Sequence, residues 1–262
     1  MTLSGQQMSS QQAAQESEYA LPVHWLAIKT VKVRYARTSK LMAELVLRYL
    51  PEGGSVIDVG CGDGRGTFDV HAHLGPRFTI RGVDYSERAI LLARAMTYGS
   101  NLRFDVVRAG ELASKNFGNV DCLIYREIIE HLTDEELSTT LQSACGMLRR
   151  DGIIVVSVPS TNTPLSAKHY RHYTGELLRA TLERNGFDVV ELLGFGHRPK
   201  WLRFTRHFYE LPKFWKLLNP LWRKTALNRA HTLIAVGCKN RKGDICPATS
   251  ISKSSPAVAV SK

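Results

Sequence analysis

The stretch of sequence that decides the fold is Val56-Ile57-Asp58-Val59-Gly60-Cys61-Gly62-Asp63-Gly64-Arg65-Gly66-Thr67, where an apolar run passes into glycines at every second position. This pattern predicts a strand, a tight turn and a helix start, with glycines that let a ligand approach backbone N–H groups. A dinucleotide site would require the spacing G-x-G-x-x-G. Counting from Gly60 places Arg65 at the third glycine position. Counting from Gly62 places Thr67 there, so the spacing excludes a dinucleotide site.

A second acidic residue ends the next predicted strand. The apolar segment from Phe78 to Val83 leads into Asp84 and Tyr85. A carboxylate at the end of a strand can accept both hydroxyl protons of a ribose diol. Asp84 could instead cap a helix, but acids at two neighbouring strand ends favour a cofactor that carries a nucleoside.

The pattern D-x-G-x-G-x-G from Asp58 to Gly64 resembles the first motif of the class I S-adenosylmethionine (SAM) methyltransferases. The resemblance implies a Rossmann-like α/β fold with a mostly parallel, seven-stranded sheet and helices on both faces. It also implies SAM as cofactor. Arg108-Ala109-Gly110-Glu111 stands where an Asp often meets the adenine, so we assign that contact to Glu111 or to backbone atoms. The predicted cofactor residues are Asp58, Gly60, Cys61, Gly62, Gly64, Asp84, Tyr85 and Glu111.

Strand and helix patterns alternate along the chain, which predicts a parallel sheet covered on both faces. The predicted strands are 55–59, 78–84, 102–107, 120–125, 152–158 and 187–193. The predicted helices are 39–50, 64–74, 86–97, 133–149 and 174–185. The resemblance implies that a last strand, 233–237, returns antiparallel.

Length and composition suit one α/β domain in a chain of 262 residues. We expect a disordered lead over residues 1–18, a domain over 19–238 and a disordered tail over 239–262. No apolar run approaches the length of a membrane span, and the polar N-terminus does not resemble a signal peptide. Five cysteines, odd in number and without a CxxC pair, favour reduced thiols and a cytoplasmic location.

The net charge of +11 is concentrated in one region. Between His197 and Lys242 there are twelve Lys or Arg residues and one acid, Glu210. Residues 195–230 form a predicted insertion in which bases alternate with aromatic residues, among them Trp201, Phe204, Phe208, Tyr209, Phe214, Trp215 and Trp222. This composition predicts peripheral contact with an anionic membrane surface, on its inner face. The alternative is a flap that packs on the sheet, with bases that keep it soluble.

The segment Glu127-Ile128-Ile129-Glu130-His131 follows strand 120–125, at the sheet edge where ligands bind. In a helical turn, Glu127 would face Glu130 and His131. Two carboxylates and an imidazole suit Mg²⁺ or Mn²⁺. The alternative is a solvated helix start whose acids favour the helix dipole.

The pattern Glu-x-x-Glu-His resembles the metal site of two O-methyltransferase groups, which act on phenols in ubiquinone biosynthesis and on the terminal ribose of small RNAs. In the second group a histidine after the next strand completes the site, and this resemblance places His169 there. The predicted metal ligands are therefore Glu127, Glu130, His131 and His169. The predicted base is His131, His169 or His172, unless the two loop histidines make only ordinary hydrogen bonds.

The pattern from the aromatic N-terminal segment through PLxxKHYRHY at residues 164–173 looks most like bacterial methyltransferases of polysaccharide and glycoconjugate synthesis. It implies SAM-dependent, metal-assisted O-methylation of a sugar hydroxyl on a carbohydrate or lipid-linked acceptor. The rival acceptors are a polyprenyl phenol and an RNA 3′ end. Of the three kinds of acceptor, a nucleic acid is the one that we expect least. The rival outside enzymes is a SAM-binding, membrane-docking module without turnover.

Overall fold

The computed structural model describes residues 10–26, 29–115, 117–196 and 224–240, which form an α/β fold around one mixed sheet. The strands are β1 (Gly54–Val59), β2 (Phe78–Asp84), β3 (Leu102–Val106), β4 (Val120–Arg126), β5 (Leu148–Pro159), β6 (Phe187–Phe195), β7 (Lys224–Thr225) and β8 (Thr232–Lys239). The α-helices are α1 (Ser10–Glu18), α2 (Val23–Leu26), α3 (Lys29–Tyr49), α4 (Arg65–Leu74), α5 (Glu87–Met96), α6 (Asp134–Met147) and α7 (Gly175–Arg184). Short 3₁₀ segments span Ala109–Ser114, Ile129–His131 and Leu227–Arg229.

The strands lie in the order β3-β2-β1-β4-β5-β8-β6-β7. Strands β1 to β5 pair in parallel, whereas β8 runs antiparallel between β5 and β6. The predicted parallel sheet and antiparallel last strand are thus confirmed. The predicted count of seven strands is wrong, because β7 pairs with Gly194 and Phe195 at the edge. A strand of two residues is too short to show an alternating pattern in the sequence.

Apolar side chains cover both faces of the sheet. Helices α3, α4 and α5 pack on one face, around central residues such as Val56 and Ile124. Helices α6 and α7 pack on the other face, against Leu123 and Val156. A parallel sheet buried on both faces needs strands that are apolar throughout, which is how these strands read in the sequence. The layers leave the carboxyl ends of β1, β2, β4 and β5 together at one edge.

The N-terminal prediction needs correction. Residues 10–18, expected to be disordered, form helix α1. Their polar composition gives no apolar pattern that would predict a helix, and α1 is held by tertiary contacts instead. Its residue Gln12 accepts a hydrogen bond from Tyr85, and Glu18 forms an ion pair with Lys168. Residues 1–9 and 241–262 lie outside the described part of the chain, so the predicted disorder there stays a prediction.

The predicted insertion also falls mostly outside the described residues. Of residues 195–230, the structure describes 195, 196 and 224–230. The seven aromatic residues from Trp201 to Trp222 therefore lie outside the described part of the chain. Within the described ranges, no helix combines the length and the apolar character needed to cross a membrane.

Candidate functional site

A cavity of about 940 Å³ opens at the carboxyl ends of β1, β2, β4 and β5. It contains both of the predicted groups, the glycine loop and the Glu-His segment. This size fits a nucleoside cofactor together with a small acceptor. The predicted residues on its wall are Asp58, Gly60, Cys61, Gly62, Asp84, Tyr85, Glu111, Glu127, Glu130, His131, His169 and His172. Gly64 is absent from that wall and instead precedes α4.

The glycine loop is held by backbone hydrogen bonds to the neighbouring strand. The N–H groups of Gly60 and Cys61 donate to the carbonyl of Val83, at 2.7 and 3.0 Å. The N–H of Gly62 donates to Oδ2 of Asp84 at 2.9 Å. Gly62 has a left-handed φ of 55°, and a Cβ there would meet the hydroxyl of Tyr19 at 3.0 Å. The loop therefore has the tight turn that the sequence predicts.

Asp84 lies at the end of β2 and is buried. Its Oδ1 accepts a hydrogen bond from the N–H of Ser86 at 3.0 Å, and its Oδ2 accepts from Gly62. Burial raises the pKa of Asp84 to about 6, although these hydrogen bonds oppose the shift. Each carboxylate oxygen can accept more than one hydrogen bond, so the ribose role predicted for Asp84 fits this geometry.

Asp58, at the end of β1, is only half satisfied. Its Oδ2 accepts a hydrogen bond from the Thr67 hydroxyl at 2.6 Å, whereas its buried Oδ1 has no hydrogen-bond partner among the described residues. Burial raises the pKa of Asp58, and the positive charge of Arg126 opposes that shift. Arg126 also lines the cavity, and the sequence reasoning missed it. A basic residue that ends the apolar run Leu123-Ile124-Tyr125 was the available signal.

The other predicted cofactor residues differ in exposure. Burial raises the pKa of the Cys61 thiol, which keeps it protonated and unreactive. Tyr85 donates a hydrogen bond from its hydroxyl to the carbonyl of Gln12 at 3.4 Å. Glu111 is exposed in the 3₁₀ segment that follows β3. It can therefore reach an adenine only from the solvent side of the cavity.

The N-terminal segment covers the cavity from outside. Tyr19 is buried over the glycine loop, and Asp63 anchors the segment through three contacts with His24 and Trp25, one of them with the His24 N–H. Nδ1 of His24 lies 3.0 Å from Oδ1 of Asp63, and the Trp25 indole donates to the Asp63 carbonyl at 2.9 Å. The ion pair between Glu18 and Lys168 ties α1 to the loop that carries His169. Tyr19 and His24 thus line the cavity from the N-terminal side of the chain.

Glu127 is not in a helical turn, contrary to the prediction. Its φ of 53° lies in the left-handed region, the sole case for a non-glycine residue in the described ranges. Its N–H donates to the Ser157 carbonyl at 2.9 Å, which anchors the turn to β5. The left-handed backbone costs roughly 1–2 kcal/mol. It breaks the helical spacing on which the predicted arrangement of Glu127 and Glu130 depends.

Glu130 is buried completely in the 3₁₀ turn Ile129–His131. Neither of its carboxyl oxygens has a hydrogen-bond partner among the described residues. Burial, and next the negative charge of Glu127, raise the pKa of Glu130 well above its usual range. Burying an unpartnered carboxyl group is costly, so its position indicates a ligand that pairs with it.

Two imidazoles face this carboxyl group. The rings of His131 and His169 lie 4.5 Å apart, edge to face, and Nε2 of His131 lies 4.0 Å from Oε1 of Glu130. Burial lowers the pKa of His131. Burial, and next the neighbouring His131, lower the pKa of His169 to about 4. Both imidazoles are therefore neutral near pH 7, the form that binds a metal ion or accepts a proton.

Hydrogen bonds at the other ring nitrogens define the tautomers. Nδ1 of His131 lies 3.2 Å from the Lys168 carbonyl, and a carbonyl only accepts, so this nitrogen carries the proton. Nδ1 of His172 donates in the same way to the Thr163 carbonyl at 3.1 Å. Nε2 of His172 must then accept from Nδ1 of His169, which lies 2.8 Å away. These bonds leave the lone pairs of His131 and His169 on their Nε2 atoms.

Glu130, His131 and His169 can therefore hold a cation. One ligand atom from each lies within 4.8 Å of the other two, and Glu127 is not part of that group. The unpartnered carboxyl oxygens and the neutral imidazoles fit a divalent cation. With two nitrogen ligands and one carboxylate, the set is richer in nitrogen than the sequence predicts. It suits Mn²⁺ better than Mg²⁺, which prefers oxygen ligands.

Comparison with known proteins supports SAM as the cofactor. A family model described as a methyltransferase domain matches residues 50–192, more than half of the chain. The chain is 32% identical over 154 residues to a probable S-adenosylmethionine-dependent methyltransferase of Mycolicibacterium smegmatis, covering 55% of this chain and 56% of that protein. It is 27% identical over 167 residues to a ubiquinone biosynthesis O-methyltransferase of Cupriavidus pinatubonensis, covering 56% and 65%.

A third curated relative is a dTDP-3-amino-3,6-dideoxy-alpha-D-glucopyranose N,N-dimethyltransferase of Streptomyces fradiae. It is 27% identical over 180 residues, covering 66% of this chain and 64% of that protein. The chain thus spans less than two thirds of the length of these curated relatives.

Solved structures share the fold at low sequence identity. A 1,6-didemethyltoxoflavin-N1-methyltransferase of Burkholderia thailandensis, with S-adenosylhomocysteine bound, has a TM-score of 0.59 at 18% identity, covering 92% of this chain and 94% of that one. The N-methyltransferase NodS of Bradyrhizobium japonicum has a TM-score of 0.60 at 15% identity, covering 89% and 100%. At such identities the likeness concerns the fold alone.

Proposed function

We propose that this chain, which belongs to the methyltransferase domain family and is a SAM-dependent enzyme, methylates a hydroxyl oxygen with the help of a divalent cation. One observation carries the proposal. The buried, unpartnered Glu130 and the Nε2 atoms of His131 and His169 converge in the same cavity as the glycine loop. An acceptor bound at this group would lie beside the cofactor.

The end of the cavity at the glycine loop and Asp84 is the cofactor half, and its residues orient the nucleoside and exclude water. When bound, SAM supplies a methyl group on a positively charged sulfur. Asp84 and the loop around Gly62 hold the nucleoside, and Tyr19 closes the cavity above it. Holding the methyl donor and the acceptor in one water-poor cavity supplies much of the rate enhancement.

The end of the cavity at Glu130, His131 and His169 is the acceptor half, and its residues activate the hydroxyl group of the acceptor. When bound at Glu130, His131 and His169, a divalent cation lowers the pKa of a hydroxyl and fixes its orientation. A second candidate mechanism uses the same imidazoles without a cation. It is supported by their neutral state and free Nε2 lone pairs, because such an imidazole can take the hydroxyl proton directly. His172 is not suited to that step, since its Nε2 is engaged by His169.

The acceptor that we propose is a sugar hydroxyl with a vicinal neighbour. Polar residues line the cavity that holds the Glu-His group, among them Thr163, Ser166, Lys168 and His231. These groups suit an acceptor with several hydroxyls, and the Streptomyces fradiae relative is named for a nucleotide-linked sugar. A phenol is the second candidate, supported by the ubiquinone biosynthesis relatives.

The composition of residues 195–230 supports a further part of the proposal, that this segment contacts a membrane. Their bases and aromatics suit contact with an anionic lipid surface, where a lipid-linked acceptor would be found. Flotation with anionic liposomes at low salt tests this. The full chain should float, and a variant with Trp201, Phe204, Trp215 and Trp222 changed to Ser should not. Wild-type protein that stays in the bottom fraction would contradict membrane contact.

Turnover with isotopically labelled SAM tests the proposed reaction. The full chain is supplied with a nucleotide-linked or lipid-linked sugar, or with a catechol, and the labelled product is identified by mass spectrometry. We expect label on a sugar oxygen, loss of turnover with excess chelator and recovery with Mn²⁺. Label on the catechol alone would favour the phenol. Undiminished turnover in chelator would favour the metal-free mechanism.

A further inference from the structure

Arg126 places a permanent positive charge inside the cofactor half of the cavity. It is the last residue of β4, and its neighbour strand β1 carries Asp58 on the same face of the sheet, because Asp58 pairs with Ile124. Arg126 is only 9% exposed, and both side chains line the cavity. A charged group at this depth requires partners.

The partners of Arg126 account for only part of its guanidinium group. Nη1 donates to the Ser39 hydroxyl at 2.9 Å, and Nη2 donates to the Gly66 carbonyl at 3.3 Å. The Nε–H is buried and has no hydrogen-bond partner among the described residues. A guanidinium offers five N–H groups, and its Nε edge fits a carboxylate.

The glycine run is adapted to this arginine. A Cβ at Gly66 would lie 2.2 Å from Nη1 of Arg126, closer than any real contact allows. The last glycine of the run therefore leaves space for the guanidinium group. A larger residue at Gly66 would push Arg126 out of its position.

Asp58 supplies the complementary half of this subsite. Its Oδ1 is a buried acceptor without a partner among the described residues, just as Nε of Arg126 is a buried donor without one. The two groups interact through their charges, and neither satisfies the unpartnered atom of the other. One wall of the cavity thus presents a negatively charged hydrogen-bond acceptor and a positively charged hydrogen-bond donor to a ligand bound there.

The amino-acid end of SAM has the matching pair of charges, an α-ammonium and an α-carboxylate. We propose that Nε of Arg126 binds the α-carboxylate and that Oδ1 of Asp58 binds the α-ammonium. The sheet order supports this, since β1 lies between β4 and β2, where Asp84 would hold the ribose. Adjacent strands are about 4.8 Å apart, so these groups span the cofactor from ribose to amino acid. The inference concerns the cofactor and is independent of the acceptor and the cation.

Two ligands that differ by one carboxylate test this assignment. SAM and decarboxylated SAM share the nucleoside, the sulfonium and the amine. Calorimetry on the full chain should give wild type a clear preference for SAM. Arg126→Met should weaken SAM binding about 10- to 100-fold, the usual effect of losing a charge-assisted hydrogen bond. Binding of decarboxylated SAM should change less than about threefold.

Two further variants complete the experiment. Arg126→Lys keeps the charge and should restore part of the preference for SAM, whereas Arg103→Met, on the exposed surface, should change neither affinity. Equal affinity of wild type for the two ligands would overturn the proposal, whether or not Arg126→Met folds. An equal loss of both affinities in folded Arg126→Met would also overturn it, because Arg126 would then act only by supporting Asp58.

Discussion

The two halves of the cavity differ in how they are built. In the cofactor half, the N–H groups of one glycine loop donate to the neighbouring strand, and Asp84 accepts hydrogen bonds from Gly62 and Ser86. In the acceptor half, side chains from separate segments converge, and Glu130 is buried without a partner among the described residues. The glycine loop and Asp84 are thus complete in the free protein, whereas Glu130, like the pair Asp58 and Arg126, needs a ligand to satisfy its unpartnered atoms.

This difference shows which residues of the site lower the stability of the free protein. The glycine loop uses φ angles that glycine adopts freely, so its geometry carries little strain. The acceptor half combines a left-handed Glu127 with a desolvated carboxyl group next to it. Strain and desolvation of this kind persist where a site requires them. Removing the carboxylate of Asp84 should therefore lower stability and SAM affinity. Removing the carboxylate of Glu130 should raise stability and leave SAM affinity unchanged.

The largest effect is expected from Asp84→Ala. The change removes the acceptor of the Gly62 and Ser86 N–H groups and the acceptor that we propose for the ribose hydroxyls. SAM affinity measured by calorimetry should fall about 100-fold or more, since several hydrogen bonds to a charged group are lost. Asp105→Ala, an acid near the end of β3 that pairs with Arg81, is the matched control and should bind SAM normally. Unchanged affinity in Asp84→Ala would contradict the ribose role.

Glu130→Gln breaks the acceptor half and leaves the cofactor half intact. Turnover should fall about 100-fold, while SAM affinity stays within about twofold of wild type. The variant should also be more stable in chelator, because an uncharged amide replaces a carboxyl group whose charged form burial disfavours. A gain of about 1 kcal/mol corresponds to about 2–4 °C in Tm.

The exposed Glu135 lines the same cavity and provides the control for that variant. Glu135→Gln should change neither Tm nor turnover. If Glu130→Gln instead melts at a lower temperature and loses SAM affinity, Glu130 supports the fold rather than the acceptor.

A pH titration of SAM affinity tests whether the ionised form of Asp84 is the form that binds the cofactor. The pKa of Asp84 is raised to about 6 in the free protein, so the carboxyl group gains a proton as the pH falls through that value. A protonated carboxyl accepts fewer hydrogen bonds, and SAM affinity should fall by up to about tenfold per pH unit below 6. Stability of the free protein should change in the opposite sense, because the folded state binds the proton more tightly. Asp84→Asn should abolish the pH dependence.

The smallest effect is expected at the contact that joins the halves. Lys168→Met removes the ion pair with Glu18 that ties α1 to the His169 loop. Both side chains are partly exposed, so the release rate of S-adenosylhomocysteine in stopped flow should rise only about two- to fivefold. Arg179→Met, which removes a surface pair with Glu183, should leave the rate unchanged. An unchanged rate in Lys168→Met would mean that α1 does not limit release.

The cofactor half could be predicted because its information is local. Spacing alone places Gly60, Gly62 and Asp84, since a strand, a turn and a helix start are defined by consecutive residues. The acceptor half could be predicted in its residues but not in its geometry. Helical spacing placed Glu127 with Glu130, whereas the backbone of Glu127 turns left-handed where its N–H bonds to Ser157 of the next strand.

Tertiary contacts also explain the two other failures. Helix α1 has the composition of a disordered segment, and its contacts with Tyr85 and Lys168 help to hold it over the cavity. Arg126 carries no motif, and the role that we propose for it follows from its unpartnered Nε and from the unpartnered Asp58 on the neighbouring strand.

Mn²⁺ binding followed by electron paramagnetic resonance tests the central claim, that the acceptor half holds a cation on its own. The full chain should bind one Mn²⁺, Asp84→Ala should bind it equally well, and Glu130→Gln and His169→Ala should lose about 10- to 100-fold in affinity. Absence of Mn²⁺ binding in a wild-type protein that turns over, or binding that survives both substitutions, would contradict the account.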